Sequence, residues 1–168
     1  MRNSFSPASA STGASARSTG RPRALAGKAM LSLVAVFTGA SPYVADWNDT
    51  HVLNPLWPAH AKFHNGQTMA MGTLLALATL YFVWRRRGDA GSNLRAAAVF
   101  AGLYWVSQAM AILYPGAAYF DPQFDTPDMY LAGLPVQAGI EIVALALIAG
   151  AALLLRPAPA AEAPASSD

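Results

Sequence analysis

Four long apolar segments restrict what this chain can fold into more than any other feature of its sequence. They cover residues 25–44, 63–84, 94–114 and 134–155. A helix of about 20 residues rises about 30 Å, which matches the hydrocarbon thickness of a lipid bilayer. Backbone polar groups in lipid have to form hydrogen bonds within their own segment, so each segment is expected to be a helix. The sequence therefore predicts an all-α fold, an integral membrane four-helix bundle. Small residues are expected to let its helices approach closely: Gly39, Gly72, Gly102, Gly139 and Gly150.

The amino-acid composition supports a lipid environment and excludes several kinds of chemistry. Hydrophobic residues make up 54% of the chain and charged residues 12%, against about 25% charged in ordinary soluble domains. The absence of cysteine excludes disulfides, thiolate nucleophiles and cysteine-bound metals. Basic residues lie in the tails and one short loop, which indicates membrane topology and no nucleic-acid partner. The expected partners are the lipid bilayer and a lipophilic small molecule, and the sequence does not identify protein partners.

The two ends of the chain differ in composition from its centre. Residues 1–23 are rich in Ser, Ala, Gly and Arg, and residues 157–168 are rich in Pro and Ala, so both are expected to be disordered tails around a transmembrane domain at 24–156. Two processing alternatives stay open. The N-terminal composition also suits an organelle transit peptide, and the first apolar segment could be a cleaved signal sequence with a small-residue site at 38–40. Sequencing the mature N-terminus distinguishes these alternatives.

Basic residues predict the orientation of the helices. Ten of the eleven Lys and Arg residues fall on one side of the predicted membrane, and Lys62 alone falls on the other. Positively charged loops stay in the cytoplasm. The sequence therefore predicts a multi-pass protein with both termini cytoplasmic and with two longer loops, 45–62 and 115–133, facing outward.

Polar side chains recur three or four residues apart on three of the predicted helices, at a similar depth below the outer boundary. They are His60, His64 and Gln67 on the second helix, Tyr104 and Gln108 on the third, and Gln137 and Glu141 on the fourth. Such spacing places the members of each group on one helix face. Trp57 precedes them at the level of the outer headgroups, where aromatic residues are enriched.

Glu141 is the most informative of these residues, because an ionisable side chain within a bilayer indicates a functional site. Its predicted partner is His64, with Gln108 as the second choice. A carboxyl group and an imidazole can exchange a proton near neutral pH, as general acid–base catalysis requires. The alternative is structural: Glu141 could join helices through hydrogen bonds.

These residues suggest an enzyme that isomerises a lipophilic small molecule or oxidises it without a cofactor. His64 is the predicted acid or base and Glu141 its proton partner. The residues expected to orient the substrate are His60, Gln67, Gln108, Tyr104, Gln137 and Trp57. No nucleotide-binding motif is present, so no cofactor is expected. A metal held by His51, His60 and His64 is a weaker alternative, and a non-catalytic lipid-binding, transport or accessory protein is the second hypothesis.

The segment NPLWPAHAKFHNGQTM, residues 54–69, resembles the signature of an uncharacterised family of small four-span membrane proteins from bacteria and fungi. The resemblance extends over residues 28–156. Some members carry an acetyltransferase label, but no acyl-CoA site is recognisable in this chain, and the family has no established functional residues to transfer. In layout the chain is also similar to the emopamil-binding and sterol isomerase group, which uses His and Glu to move protons on a lipophilic alkene. In size it resembles the anthrone oxygenases. Both likenesses concern architecture alone.

Overall fold

The computed structural model describes residues 12–156, with side chains from residue 21 onward. The described residues contain four α-helices: α1 (Thr12–Asp46), α2 (Ala59–Trp84), α3 (Ala90–Ala111) and α4 (Val136–Leu154). A 3₁₀ turn (Pro127–Met129) and a short hairpin of β1 (Tyr130–Leu131) and β2 (Leu134–Pro135) precede α4. The predicted all-α class is confirmed.

The helices pack in an up-and-down bundle, each against its neighbours in the chain, and α4 closes the ring against α1. Aromatic and branched side chains of α1, α2 and α3 fill the core, and small residues let α4 pack against them. The buried core consists of Leu31, Val34, Val83, Ala97, Ala101, Tyr104, Trp105, Ala144, Ile148 and Ala151. Such small residues at helix contacts are typical of bundles in membranes.

In the part of the chain that the structure describes, three helices are long and apolar enough to cross a membrane: Arg21–Asp46, Ala59–Trp84 and Val136–Leu154. Their outward faces are apolar as well; Leu33, Leu74 and Val143 are each more than half exposed. A bundle with apolar residues both inside and outside is suited to lipid. The remaining helix, α3, carries Asn93 and Arg95 near its start, and these residues reduce its mean hydropathy.

Several boundaries differ from those predicted. Helix α1 begins at Thr12, within the segment 1–23 that was expected to be disordered. The predictions for residues 1–11 and 157–168 lie outside the described residues. The fourth apolar segment begins as the hairpin and not as helix, because Ala132 and Gly133 both adopt positive φ, at 53° and 80°, as a two-residue hairpin turn requires.

Helices α1 and α2 approach each other closely, backbone to backbone, at Gly72. Pro42 has no N–H, so the Thr38 carbonyl four residues earlier lacks its helical donor. A Cβ atom added to Gly72 would lie 2.9 Å from that carbonyl oxygen and 3.3 Å from the Tyr104 ring. The predicted close approach is confirmed at Gly72, and likewise at Gly39 and Gly150, where an added Cβ would meet neighbours at 3.0 and 3.1 Å. It is wrong at Gly102, which has no neighbour within 4 Å, and Gly139 makes only an ordinary contact at 3.8 Å.

Basic side chains gather at the end of the bundle where α1 enters, α2 ends, α3 begins and α4 ends. Arg23 donates to the Leu153 carbonyl at 3.1 Å, and the Lys28 ammonium lies 5.4 Å from the centre of the Trp84 ring. Trp84 in turn donates to Ser32 Oγ at 3.1 Å. The opposite end of the bundle carries the two longer loops and the polar residues considered next.

Candidate functional site

The loop after α1 is folded on itself by short polar side chains. Asn48 Oδ1 accepts hydrogen bonds from the Thr50 backbone N–H at 2.9 Å and from the Thr50 hydroxyl at 2.6 Å. Asn54, only 3% exposed, accepts from the Leu56 N–H at 2.9 Å. These Asn-centred turns satisfy backbone groups that no helix or strand covers, and they fix the position of the residue between them, His51.

Its neighbours hold neutral His51 in one tautomer, with the hydrogen on Nδ1. The single hydroxyl hydrogen of Thr50 is donated to Asn48, so the Thr50 oxygen accepts from His51 Nδ1, 2.7 Å away. A neutral His51 then carries a lone pair on Nε2, which lies 3.9 Å from Asp46 Oδ1. Asp46 is fixed from α2 by the Asn65 amide, which donates to its other oxygen at 2.8 Å. This arrangement of a base beside a positioned carboxylate can accept and return a proton.

A polar pocket of about 210 Å³ opens beside His51. Gln108 from the end of α3 and Gln137 from the first turn of α4 line it, together with Tyr119 from the intervening loop. The other lining residues are Ala111, Ile112, Ala117 and Ala118. The pocket therefore draws polar groups from two helices and both long loops.

Three buried side-chain oxygen atoms at this end of the bundle have no hydrogen-bond partner in the described part of the chain, and two of them lie at or near the polar pocket. Gln108 Oε1 belongs to the pocket wall, and Glu141 Oε1 lies one helical turn inward from Gln137 on α4. Glu141 is only 4% exposed. A buried acceptor without a donor costs about 1–3 kcal/mol, so both oxygens are suited to accept hydrogen bonds from a bound molecule. A third such oxygen, Asn65 Oδ1, lies beside Asp46.

The predicted contact between His64 and Glu141 is not present. His60, His64 and Gln67 are exposed on the outward face of α2 and bond to one another. Glu141 is buried on α4, which packs mainly against α1 and α3. The structure therefore gathers the predicted residues into two separate groups, with Gln108, Gln137 and Glu141 in one and His60, His64 and Gln67 in the other.

The two predicted aromatic residues lie at different depths. Tyr104 is 8% exposed and packs inside the bundle, with its ring centre 5.3 Å from that of Trp105. Trp57 lies in the outer loop, where its ring meets the His51 ring edge-on at 4.9 Å and its indole N–H donates to Asp121 at 3.4 Å. Trp57 therefore touches a residue of the polar pocket, whereas Tyr104 belongs to the core.

The three-histidine metal site of the weaker alternative does not form. His51 bonds to Thr50 and lies near Asp46, whereas His60 and His64 pair with each other. Over residues 21–156, no group of three or more His, Asp or Glu side chains is close enough to hold a metal ion together.

A larger cavity of about 480 Å³ lies between α1 and α4 beneath the hairpin. Its walls are almost entirely apolar, formed by residues such as Phe37, Leu131 and Val143. It can accommodate a hydrocarbon chain but offers no group for acid–base chemistry. Of these two cavities, the smaller one is lined by polar side chains.

Sequence reasoning missed two residues that the structure assigns to this region: Asn65 and Tyr119. Asn65 carried a usable signal. It precedes the small and apolar residues buried along α2 at helical spacing, namely Met69, Gly72, Ala76, Thr79 and Val83. That spacing places Asn65 on the inward face and the neighbouring His64 outside it.

The comparisons with known proteins give a family for the chain. No curated protein and no solved structure matches it. Residues 30–154 match a protein family described as "Family of unknown function (DUF6640)", a range close to the 28–156 over which the sequence resembles an uncharacterised family. Because this match covers most of the chain, the protein belongs to the DUF6640 family.

Proposed function

We propose that this chain is a multi-pass membrane protein that binds an amphiphilic small molecule in the polar pocket and changes it by proton transfer. One observation carries the proposal: Gln108 Oε1 and Glu141 Oε1 are buried acceptors without donors, at or just beneath that pocket. A ligand hydroxyl or amino group would supply the missing donor and remove the free-energy cost of the unpartnered oxygen. The larger apolar cavity between α1 and α4, beneath the hairpin, suits the hydrocarbon part of such a molecule.

The proposal includes four membrane passes with both termini in the cytoplasm. Helix α3 presents an exposed apolar stripe of Val99, Leu103, Val106 and Met110, at the spacing of one helix face. This stripe supports α3 as the fourth span despite its lower mean hydropathy. The basic residues at the opposite end of the bundle support a cytoplasmic location for that end. The polar pocket then opens on the non-cytoplasmic side.

In this proposal His51 is the acid–base group. Its Nε2 lone pair is available near the pocket, and a protonated ring would form an ion pair with Asp46. Gln108 and Gln137 would orient the ligand, and Glu141 would accept its hydrogen bond from below. A proton taken from one carbon and returned to another shifts a double bond without any oxidant, so isomerisation is the reaction class we propose.

A non-catalytic role is the second candidate, and the larger apolar cavity favours it. A cavity with apolar walls at the α1–α4 contact could hold a lipid chain with no chemistry at all. The protein would then bind or present a lipid, and the polar pocket would recognise its headgroup.

Untargeted lipid and metabolite profiling of cells that produce wild type or single variants tests the proposal. Glu141→Leu, which removes the acceptor oxygen, and His51→Ala should both abolish conversion of a compound that wild type converts, while the helical content stays unchanged. His64→Ala is the comparison variant: it should retain conversion if His51 is the base, and lose it if His64 is the base as the sequence predicted. Full conversion by both Glu141→Leu and His51→Ala would refute the catalytic proposal. An unconverted lipid that copurifies with wild type and is lost from Glu141→Leu would favour the binding role.

A further inference from the structure

Two imidazole rings form a pair on the outward face of α2, apart from the polar pocket. The Nε2 atoms of His60 and His64 lie 3.1 Å apart. Their ring centres are 4.5 Å apart and their planes cross at 78°. Both rings are exposed and lie one helical turn apart, so the Nε2 atoms of the two rings face one accessible position.

Gln67 determines which nitrogen of His64 carries hydrogen. His64 Nδ1 lies 3.2 Å from Gln67 Oε1, an amide oxygen that can only accept. Nδ1 therefore donates, and the Nε2 of a neutral His64 carries the lone pair that faces His60. Hydrogen bonds of this kind to the outer nitrogen are what orient metal-binding histidines in proteins.

We propose that His60 and His64 form a two-histidine site for a divalent transition metal, with Cu²⁺ bound most tightly and water completing its coordination. Metal–nitrogen bonds of about 2.0–2.1 Å across the 3.1 Å separation give an N–metal–N angle of about 98°, between the square-planar and tetrahedral values. On binding, the metal replaces the hydrogen shared between the rings. The hydrogen of His60 then resides on its Nδ1, so both ligands stay neutral.

The aromatic neighbour of the pair restricts how the rings can rotate. Phe63 lies parallel to His60, at 6.1 Å between ring centres and 5° between planes, and edge-on to His64 at 5.5 Å. Rings that already occupy the chelating geometry lose less conformational freedom when the metal binds. The donor set is nitrogen alone, which suits Cu²⁺, Ni²⁺ and Zn²⁺ and disfavours Mg²⁺ and Ca²⁺.

The proposal is independent of the polar pocket and of the proposed catalytic function. His51, the third of the three histidines in the chain, is bound to Thr50 and lies beside Asp46. It therefore provides a matched control: an imidazole at the same end of the bundle that should not contribute to metal binding.

Full-length protein without an affinity histidine tag, purified in detergent and freed of metal, should be titrated with Cu²⁺ by calorimetry and followed by electron paramagnetic resonance. Wild type should bind one equivalent with two nitrogen ligands in the spectrum. His60→Ala and His64→Ala should each weaken binding at least tenfold, and His51→Ala should leave the affinity unchanged. Gln67→Leu should weaken binding about tenfold while the two-nitrogen spectrum remains.

Circular dichroism of each variant separates a lost ligand from a lost fold, because these side chains are exposed and their removal should leave the helical content intact. Zn²⁺ should compete with Cu²⁺, and Mg²⁺ should not. The proposal is overturned if wild type binds no more Cu²⁺ than detergent alone. It is also overturned if His60→Ala and His64→Ala bind as wild type does, or if His51→Ala removes the binding.

Discussion

The contact between Gly72 and the Thr38 carbonyl predicts how far the bundle depends on one missing methyl group. In Gly72→Ala the new Cβ would lie 2.9 Å from a backbone oxygen, which cannot rotate away as a side chain can. Helices α1 and α2 would have to separate by a few tenths of an ångström. Overpacking of this kind costs about 1–3 kcal/mol, whereas replacing Gly by Ala within a helix is itself favourable by about 0.5–1 kcal/mol.

Gly102 provides the matched control, because it also lies within a helix but has no neighbour within 4 Å. Gly102→Ala should therefore gain only the higher helix propensity of Ala and become slightly more stable. Both variants gain this propensity, so it cancels when their free energies of unfolding are compared. The remaining difference should equal the cost of overpacking at Gly72, about 1–3 kcal/mol. Equilibrium unfolding in detergent micelles, followed by circular dichroism, measures this difference. Equal stability of the two variants would refute the reasoning.

Three further perturbations test separate parts of the fold. Asp89 caps α3 by accepting from the Ser92 N–H at 2.6 Å, and this backbone hydrogen bond holds the pKa of its carboxyl below the usual 3.8. The cap should therefore contribute its full stability above about pH 4 and lose it as the pH falls through the lowered pKa of Asp89. The thermal midpoints of wild type and Asp89→Ala should then converge in acid. A difference between the two midpoints that persists in acid would contradict the assignment of Asp89 as the cap. Ala132→Gly should stabilise the hairpin by about 1 kcal/mol in the same unfolding assay, because Ala132 occupies a left-handed conformation at φ 53°, and no gain would argue against strain. Trp105→Phe should destabilise by about 1–3 kcal/mol, since it removes the 2.9 Å hydrogen bond to Thr38 and leaves a void at a residue only 2% exposed; an unchanged unfolding midpoint would contradict this.

The sequence predicted the fold class because the thickness of a bilayer dictates the length of an apolar helix. The same rule could not locate the hairpin before α4. Leu131 and Leu134 pair across a two-residue turn of Ala132 and Gly133, and the whole stretch is apolar. A turn of this kind usually has Gly or Asn at its first position, but Ala132 occupies that position here, so the sequence contains no clear turn signal. Helix ends are also set by loop packing, so α3 ends at Ala111 although its apolar segment continues to residue 114.

The structure brings the predicted residues of α3 and α4 together and leaves those of α2 in a separate group. Glu141 shares a buried stripe with Ala138, Ala144 and Ile148, so its inward direction follows from helical spacing. Depth alone pairs His64 with Glu141, but the buried small residues of α2, such as Gly72 and Ala76, lie on a different face from His64. The contact pattern between helices, with α2 diagonal to α4, is a property of tertiary packing that no single helix encodes.

The motif at residues 54–69 contributes polar side chains to the loop before α2 and to two faces of α2. Its first part forms the loop in which Asn54 is buried and Trp57 packs on His51. Its helical part directs Asn65 inward to Asp46, while His60 and His64, on another face, point outward. The inward and outward groups share no contact with each other: Asn65 bonds to Asp46, and His64 bonds to His60 and Gln67. Under the two proposals they would serve different ligands, and variants of Asn65 and His64 should then have independent effects on ligand conversion and on Cu²⁺ binding.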